Sequence, residues 1–142
     1  MYNTPFHNEN ISKHSFLVTG GAGFIGSNIV EYLVKYNAGK IKVLDNLSTG
    51  FIQNIQPFII NDKIEFIEGD ICNENTCIDA CKNIDFVIHQ AALGSVPRSI
   101  KNPIATNEAN VDGFLNMLVA AKESNVKRLF QPSPSYQDIL YQ

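Results

Sequence analysis

Three glycines at a regular spacing are the residues whose pattern most clearly suggests binding chemistry. Gly20, Gly23 and Gly26 follow a short apolar run and precede a helical pattern. In such a strand–turn–helix unit, the first glycine permits the tight turn and the second lets a pyrophosphate approach the backbone. The third lets the helix pack closely on the strand. The N–H groups of the first helical turn, aided by the helix dipole, would then bind phosphate oxygens.

An acidic residue stands where a dinucleotide-binding unit requires one. Asp45 closes the next apolar run, residues 40–44, and lies about 20 residues beyond the last glycine, as the fingerprint demands. A carboxylate there accepts hydrogen bonds from a ribose 2′-OH and repels a 2′-phosphate, so the sequence favours NAD over NADP. The alternative is that Asp45 only caps the following turn, because Asp-Asn is common in turns.

Composition limits the classes of protein to which the chain can belong. With 142 residues, 44% of them hydrophobic, it is long enough for one domain with a core. The net charge of −3 is scattered, which argues against nucleic acid as a partner. The sequence has no membrane-spanning run and no signal-peptide core, so we expect a cytoplasmic protein. Cys72, Cys77 and Cys81 predict reduced thiols, with neither a disulfide framework nor a metal site.

Hydrophobic periodicity predicts helices alternating with five strands. The expected strands are 15–19, 40–45, 63–68, 85–89 and 127–130. The expected helices are 24–37, 74–82 and 103–124, with a short amphipathic piece at 51–60 and a long loop at 90–102. This alternation predicts an α/β fold, a Rossmann-like doubly wound parallel sheet of order 3-2-1-4-5, incomplete at its C-terminal side. The ligand is expected at the carboxyl ends of the strands.

Further expectations concern the segments around this sheet. Residues 1–14 are predicted to be a loosely ordered leader, 15–130 an NAD-binding domain and 131–142 an irregular tail. Gly39 is expected to end the first helix in the left-handed conformation. The inner stripe of that helix is predicted to be Ile25, Ile29, Val30, Leu33 and Val34. Asn73 is expected to cap the second helix, and Pro103 to occupy the first position of the third.

Four motifs together resemble the extended short-chain dehydrogenase/reductases, which include sugar-nucleotide epimerases and dehydratases. They are TGGAGFIG at 19–26, DNL at 45–47, GDI at 69–71 and HQAA at 89–92. The stretches 89–100 and 110–119 are similar to the bacterial UDP-N-acetylhexosamine 4-epimerases of surface-polysaccharide synthesis. The resemblance covers about residues 15–129.

The resemblance implies a set of ligand contacts along the chain. The implied NAD contacts are Gly20, Gly23, Phe24, Ile25 and Gly26 on the pyrophosphate, Asp45, Asn46, Ser48, Gly50, Asp70 and Ile71 on the adenosine side, and Gln90, Ala91 and Ala92 on the nicotinamide side. Asn110 lies mid-helix, where its amide would serve the cofactor or a loop. Gly94, Ser95 and Arg98 would face a UDP-N-acetylhexosamine substrate. The alternatives are a turn or cap for Asp70, and loop structure or surface solvation for Ser95 and Arg98.

The family reaction is a 4-epimerisation that interconverts UDP-GlcNAc and UDP-GalNAc. The resemblance implies that a tyrosinate removes the 4-hydroxyl proton while NAD takes a hydride and later returns it to the other face. The sequence departs from the family after Leu129, where Pro132 and Pro134 interrupt strand five and no Tyr-x-x-x-Lys follows. The match of Tyr36 to Lys40 lies far from the expected ligand. We therefore expect no catalytic residue in this chain and interpret it as truncated and inactive alone.

Two other functions remain open at this stage. The chain could be a dinucleotide-binding fragment or NAD-sensing module without chemistry, or part of a related NAD-dependent sugar-nucleotide dehydratase. The predicted helix 103–124 carries one apolar stripe of Val111, Leu115 and Leu118 and another of Phe114, Met117 and Ala121. Because one stripe packs on the sheet, the other needs a partner, and the resemblance implies a homodimer through this helix.

Overall fold

A five-stranded parallel sheet organises the protein, of which the computed structural model describes residues 3–131. The strands are β1 (Ser15–Thr19), β2 (Lys40–Asp45), β3 (Ile64–Glu68), β4 (Phe86–His89) and β5 (Arg128–Phe130). Their order is β3-β2-β1-β4-β5, and each neighbouring pair is parallel. The predicted fold class and strand order are confirmed.

Helices cover both faces of this sheet. They are α1 (Phe24–Lys35), α2 (Gln56–Ile59), α3 (Glu74–Cys81), α4 (Val96–Lys101), α5 (Pro103–Asn107) and α6 (Gly113–Glu123), with a π-helical turn at Glu108–Asp112 joining α5 to α6. Helices α1 and α2 contribute to one apolar cluster, and α3 and α6 to the other. Among the described residues, no helix has both the length and the apolar character needed to cross a bilayer.

The central strand shows why the sequence forms a sheet that is buried on two sides. Leu17 and Val18 are both fully buried, and successive side chains of a strand point to opposite faces. Leu17 belongs to the α3–α6 cluster, whereas Val18 belongs to the α1–α2 cluster. A continuous apolar run is therefore required here, in place of the alternation that a half-exposed strand shows.

The first helix ends differently from the prediction. The residue with a left-handed backbone is Asn37, at φ 59°, and not Gly39; asparagine tolerates this conformation better than most residues. Gly39 is needed for close approach, because a Cβ there would lie 2.6 Å from the carbonyl oxygen of Ser12. Ile25, predicted on the inner stripe, is 61% exposed because it lies on the helix's first turn at the cleft described below.

The segment 90–102, predicted as a long loop, contains helix α4. Its N-cap is Ser95, whose hydroxyl accepts a hydrogen bond from the N–H of Arg98, and a proline lies in its first turn. Asn102 then caps α5 by accepting from the N–H of Ala105, with Pro103 at the first helical position as predicted. The predicted cap of α3 by Asn73 is also confirmed.

The last helix presents one apolar face to the sheet and one outward. Met117 and Ala121 are buried in the core, whereas Val111, Leu115 and Leu118 are 55%, 57% and 40% exposed. The two predicted stripes are therefore present, and the structure shows which of them packs on the sheet. Within residues 3–131, β5 pairs only with β4 and forms one edge of the sheet.

Residues 3–14, predicted as a loosely ordered leader, contact helix α1. Ile11–Lys13 form a 3-10 turn. The hydroxyl of Tyr32 accepts the N–H of Phe6 and lies 2.7 Å from Nδ1 of His7, while the rings of Phe6 and Tyr32 stack. Pro132 and Pro134, which were predicted to interrupt strand five, lie outside the described residues, as does the rest of the predicted tail beyond residue 131.

Candidate functional site

A cleft of about 850 Å³ lies where the carboxyl ends of the strands meet α1, α4 and α5. Of the residues predicted to contact cofactor or substrate, all line this cleft except Gly50, Ser95 and Asn110. The predicted residues on its wall are Gly20, Gly23, Phe24, Ile25, Gly26, Asp45, Asn46, Ser48, Asp70, Ile71, Gln90, Ala91, Ala92, Gly94 and Arg98. Residues from five separate segments therefore converge on one site.

The glycine turn forms the floor of the cleft because two of its glycines are sterically required. Gly20 has φ +66°, and a Cβ there would lie 2.7 Å from the backbone nitrogen of Ala91. A Cβ on Gly26 would overlap the carbonyl oxygen of Gly20, so only glycine lets α1 start this close to the turn. A Cβ on Gly23 would meet only the oxygen of Gly20, at 3.2 Å, which leaves its other side open to the cleft.

The N-terminus of α1 faces this opening. Its N-cap is Gly23, which has no side chain to satisfy the helix's N–H groups, and the side chains of Phe24 and Ile25 are 84% and 61% exposed. The first N–H groups of a helix have no intrahelical acceptor and carry a partial positive charge. This end of α1 is therefore suited to phosphate oxygens.

Asp45 is buried at the end of β2, with 7% of its surface exposed. One carboxylate oxygen accepts the N–H of Ala22 in the glycine turn at 2.9 Å, and the other accepts the N–H of Leu47 at 2.8 Å. The second bond is the turn cap that the sequence analysis gave as the alternative. The first joins Asp45 to the glycine turn, so the side chain both shapes the loop and lies on the cleft wall.

Asp70 forms the wall next to Asp45. It accepts hydrogen bonds from the N–H of Cys72 at 2.8 Å and from the amide of Asn46 at 3.0 Å. The pKa of Asp70 is lowered mainly by the hydrogen bond from the N–H of Cys72. The amide of Asn46 lowers it further, whereas burial acts in the opposite direction. The carboxylate is thus ionised and fixed at neutral pH, and its hydrogen bonds join the loops after β2 and β3.

His89 ends β4 behind the opposite wall. It is 3% exposed, its Nδ1 lies 2.8 Å from the hydroxyl of Thr19, and its ring packs 5.3 Å from that of Phe114. Burial lowers its pKa to about 4, so the ring is neutral at pH 7. The Thr19 hydroxyl also accepts the N–H of Ala91 at 3.3 Å, which connects the buried pair to the cleft wall.

The three predicted residues that do not line the cleft have other contacts. Gly50 packs on the backbone of Ala22, where a Cβ would approach to 2.8 Å. Ser95 caps α4, as described above. The Oδ1 of Asn110 accepts the N–H of Leu93 at 2.7 Å, and its Nδ2 donates to the carbonyl of Leu93 at 3.0 Å. For Asn110 the structure thus supports a contact with a loop, one of the two roles expected from the sequence.

Several wall residues were not predicted from the sequence. They are Leu44, Thr49, Gly69, Cys72, Leu93, Asn102, Ala105, Glu108 and Ala109. Four of them belong to α5 and its surroundings, where a helix was predicted but not its position against the cleft. For α4, which lies in the segment predicted as a loop, a signal was available in Ser95 followed by Pro97, because a serine N-cap with proline in the first turn is typical of a helix start.

The three cysteines differ in their burial. Cys77 and Cys81 are buried and Cys72 is exposed, and all three are free. Burial raises the pKa of Cys77 to about 12, and burial is also the main cause that raises the pKa values of Cys72 and Cys81 to about 11. In the described part of the chain, no group of His, Cys, Asp or Glu side chains is arranged to hold a metal ion.

Comparison with known proteins identifies the family. The model of the NAD-dependent epimerase/dehydratase family matches residues 16–137. The chain belongs to this family. A putative UDP-glucose 4-epimerase of Methanocaldococcus jannaschii is 40% identical over 116 residues, covering 80% of this chain and 35% of that protein.

Solved structures of this family share the fold. The UDP-N-acetylglucosamine 4-epimerase of Methanobrevibacter ruminantium is 36% identical, with a TM-score of 0.73 over 82% of this chain and 36% of that one. The dTDP-glucose 4,6-dehydratase DesIV of Streptomyces venezuelae, solved with NAD bound, is 34% identical, with a TM-score of 0.77 over 81% of this chain and 38% of that one. The chain spans about a third of the length of the Methanocaldococcus jannaschii protein and of a UDP-glucose 4-epimerase of Lactobacillus helveticus.

Proposed function

We propose that this chain is the NAD-binding part of a sugar-nucleotide 4-epimerase that acts on a UDP-N-acetylhexosamine. The observation that carries the proposal is the placement of Asp45. Its carboxylate is fixed to the N–H of Ala22 in the glycine turn and lies on the wall of the same cleft as the open N-terminus of α1. A pyrophosphate site and a ribose site thus share one cleft, which is the arrangement a dinucleotide requires.

The residues present fit NAD. Gly23 leaves open the space that a Cβ would occupy, and the cleft of about 850 Å³ is within the range of cofactor sites. When bound, NAD would supply a hydride acceptor and donor for the sugar carbon. The chain's own part is to bind the pyrophosphate at the start of α1, orient the ribose through Asp45, and exclude water with the walls that α4 and α5 provide.

Selectivity for NAD follows from the bonding of Asp45. Each carboxylate oxygen accepts one backbone N–H and retains a further lone pair for a ribose hydroxyl. A 2′-phosphate would instead place a second negative charge beside a buried carboxylate. Two neighbouring like charges repel strongly in a partly desolvated site. We therefore expect NAD to bind more tightly than NADP.

The substrate is assigned to the part of the cleft next to α4. Gly94 and Arg98 lie on its wall. A Cβ on Gly94 would meet nothing within 4 Å, so the fold of the chain does not require a glycine at this position. The guanidinium of Arg98 suits diphosphate oxygens because it can form paired hydrogen bonds. Ser95 can still donate its hydroxyl proton to a ligand while it caps α4.

A sugar-nucleotide dehydratase is the second candidate. It is favoured by the likeness to DesIV, whose sequence identity to this chain, 34%, is close to the 36% of the epimerase structure. Both reactions begin from a nucleotide-activated sugar and use the same cofactor half, so the cleft described above serves either. As a further part of the proposal, the exposed stripe of Val111, Leu115 and Leu118 forms a homodimer interface.

Calorimetric titration with NAD and NADP tests the proposed function. We expect NAD to bind at least about 10-fold more tightly, a difference of about 1.4 kcal/mol. Asp45→Ala should weaken the binding of both NAD and NADP and remove most of the preference for NAD. Asp62→Ala, which changes an exposed aspartate before β3, serves as the control and should leave the affinity ratio unchanged. An NAD-to-NADP ratio that is the same in wild type and Asp45→Ala would contradict the ribose assignment.

A further inference from the structure

Two asparagines on the helix that begins at Pro103 make side-chain bonds to two different loops of the cleft. Asn110 pairs with both backbone groups of Leu93, at 2.7 and 3.0 Å. Asn116 donates its amide to the carbonyl of Ile71 at 3.0 Å. Both side chains are half-buried, and an asparagine in mid-helix is unfavourable unless its amide has a specific partner.

The helix is locally modified where Asn110 meets its loop. Residues Glu108–Asp112 form a π-helical turn, which inserts one extra residue per turn and changes the direction of the side chains. The amide of Asn110 reaches Leu93 from the middle of this turn. The side chain of Asn110 thus forms the two hydrogen bonds that the backbone of a neighbouring strand would form with Leu93. These bonds fix the loop after β4, although the loop belongs to no sheet at that point.

The second loop is held by packing as well as by hydrogen bonds. The side chain of Ile71 lies against Gly113, where a Cβ would approach its Cδ1 to 2.7 Å. The carbonyl of Ile71 accepts from Asn116 and from the thiol of Cys77, at 3.0 and 3.2 Å. The loop after β3, which carries Asp70, therefore has a fixed position relative to α6.

We propose that Asn110 and Asn116 are positioning residues, which hold the nicotinamide-side and adenine-side loops of the cleft at a set separation by attaching both to one helix. The assignment of each loop to one half of a dinucleotide rests on the proposed function. Leu93 lies on the nicotinamide-side wall and Ile71 on the adenine-side wall. A dinucleotide has to contact both walls at once, so an error in their separation costs affinity that a mononucleotide does not lose.

The test compares NAD with ADP, which represents the adenine half alone. Asn110→Leu keeps the side-chain size and removes both bonds to Leu93; we expect NAD affinity to fall by about 10-fold and ADP affinity to change by less than about 2-fold. Asn116→Leu should lower the affinities for NAD and ADP by similar factors, because it releases the adenine-side loop. Asn107→Leu, which changes an exposed asparagine one turn before Asn110, is the matched control and should affect neither ligand.

Conservative variants and a ligand-free measurement keep the test decisive. Asn110→Asp retains the acceptor for the N–H of Leu93 and loses the donor, so its NAD affinity should lie between those of wild type and Asn110→Leu; it also replaces Asn110→Leu if that variant does not fold. Asn116→Asp, which loses the donor to Ile71, replaces Asn116→Leu in the same way. Hydrogen exchange without nucleotide should show the amide of Leu93 protected in wild type and exposed in Asn110→Leu.

The possible outcomes separate the inference from the proposed function. Equal losses for NAD and ADP in the Asn110 variants, no loss in either, or an unchanged Leu93 exchange rate would overturn the positioning role. If wild type binds neither nucleotide, the proposed function fails, and the exchange rate of Leu93 alone then decides whether Asn110 holds this loop.

Discussion

The buried His89 makes the stability of this protein depend on pH between about 4 and 6.5. Its pKa is lowered from 6.5 to about 4 by burial, and its exposed fraction is 3%. Between these two values the unfolded chain binds a proton that the folded chain does not bind. The free energy of unfolding therefore rises with pH across this window. The stability that the neutral His89 contributes is lost as the pH falls from about 6.5 to about 4.

The size of the effect follows from the shift. A lowering of about 2.5 pKa units at about 1.36 kcal/mol per unit corresponds to about 3 kcal/mol, a large part of the roughly 5–15 kcal/mol that stabilises a typical domain. The cause is local, because Phe114 and the hydroxyl of Thr19 enclose the ring and leave no room for the hydration of an imidazolium. Asp85, whose pKa is lowered to about 2, first by the amine of Lys127 and then by the N–H of Ser15, acts in a lower pH range.

Urea unfolding at half-unit intervals from pH 4 to 7.5, at constant ionic strength, measures this effect. The matched variant is His89→Asn, whose Oδ1 can take the position of Nδ1 opposite Thr19 but cannot be protonated in this range. We expect wild type to lose about 3 kcal/mol between pH 6.5 and 4 more than the variant does. Parallel stability curves for the two proteins would refute the reasoning, whatever constant offset the smaller side chain introduces.

Three further predictions follow from the packing. Gly26→Ala should destabilise the fold by more than about 2 kcal/mol in urea unfolding, because its Cβ would overlap the oxygen of Gly20, whereas Gly94→Ala, with open space around the Cβ, should change stability by less than about 0.5 kcal/mol. With a neutral alkylating reagent at pH 7, Cys72 should be labelled first and Cys77 and Cys81 only on unfolding, since these two are buried; equal rates in the native state would contradict this. In sedimentation at several concentrations the chain should form dimers, and Leu115→Glu should shift it to monomer, because this change places a charge on a stripe that is 57% exposed at that residue; a dimer insensitive to Leu115→Glu would locate the interface elsewhere.

Features that depend on local pattern could be predicted from the sequence. The apolar runs around Val18 and Val43 mark strands that are buried on both faces, and the glycine spacing fixes where the chain turns into α1. Asn73 precedes its helix by one residue, a position that favours asparagine, and Pro103 marks the first position of the next helix. Each of these signals involves residues close together in the chain, so the helices and strands could be located from the sequence. The rules for parallel crossovers then gave the order of the strands.

Features that depend on contacts between distant segments could not be predicted in the same way. Gly39 is a glycine because Ser12 passes close to it, and no local pattern shows that approach. Asn110 stands out in the sequence as a polar residue in mid-helix, but its contact with Leu93 depends on a π-helical turn that sequence periodicity does not reveal. Nothing in the sequence distinguishes Asn116, since its bond to Ile71 exists only after α6 has packed beside the loop that follows β3.

The two kinds of feature meet in the cleft, and this explains why its walls differ in how well they could be predicted. The floor of the cleft, where phosphate binding is proposed, is built within one strand–turn–helix unit, so its residues carry their own spacing signal. The walls come from the loops after β2, β3 and β4, whose relative positions are set by Asp45, Asn116 and Asn110 through bonds to backbone groups elsewhere in the chain. In the positioning role proposed above, Asn110 and Asn116 affect ligand affinity without contacting the ligand. Substitutions at the two asparagines should therefore change affinity more than their distance from the cofactor suggests.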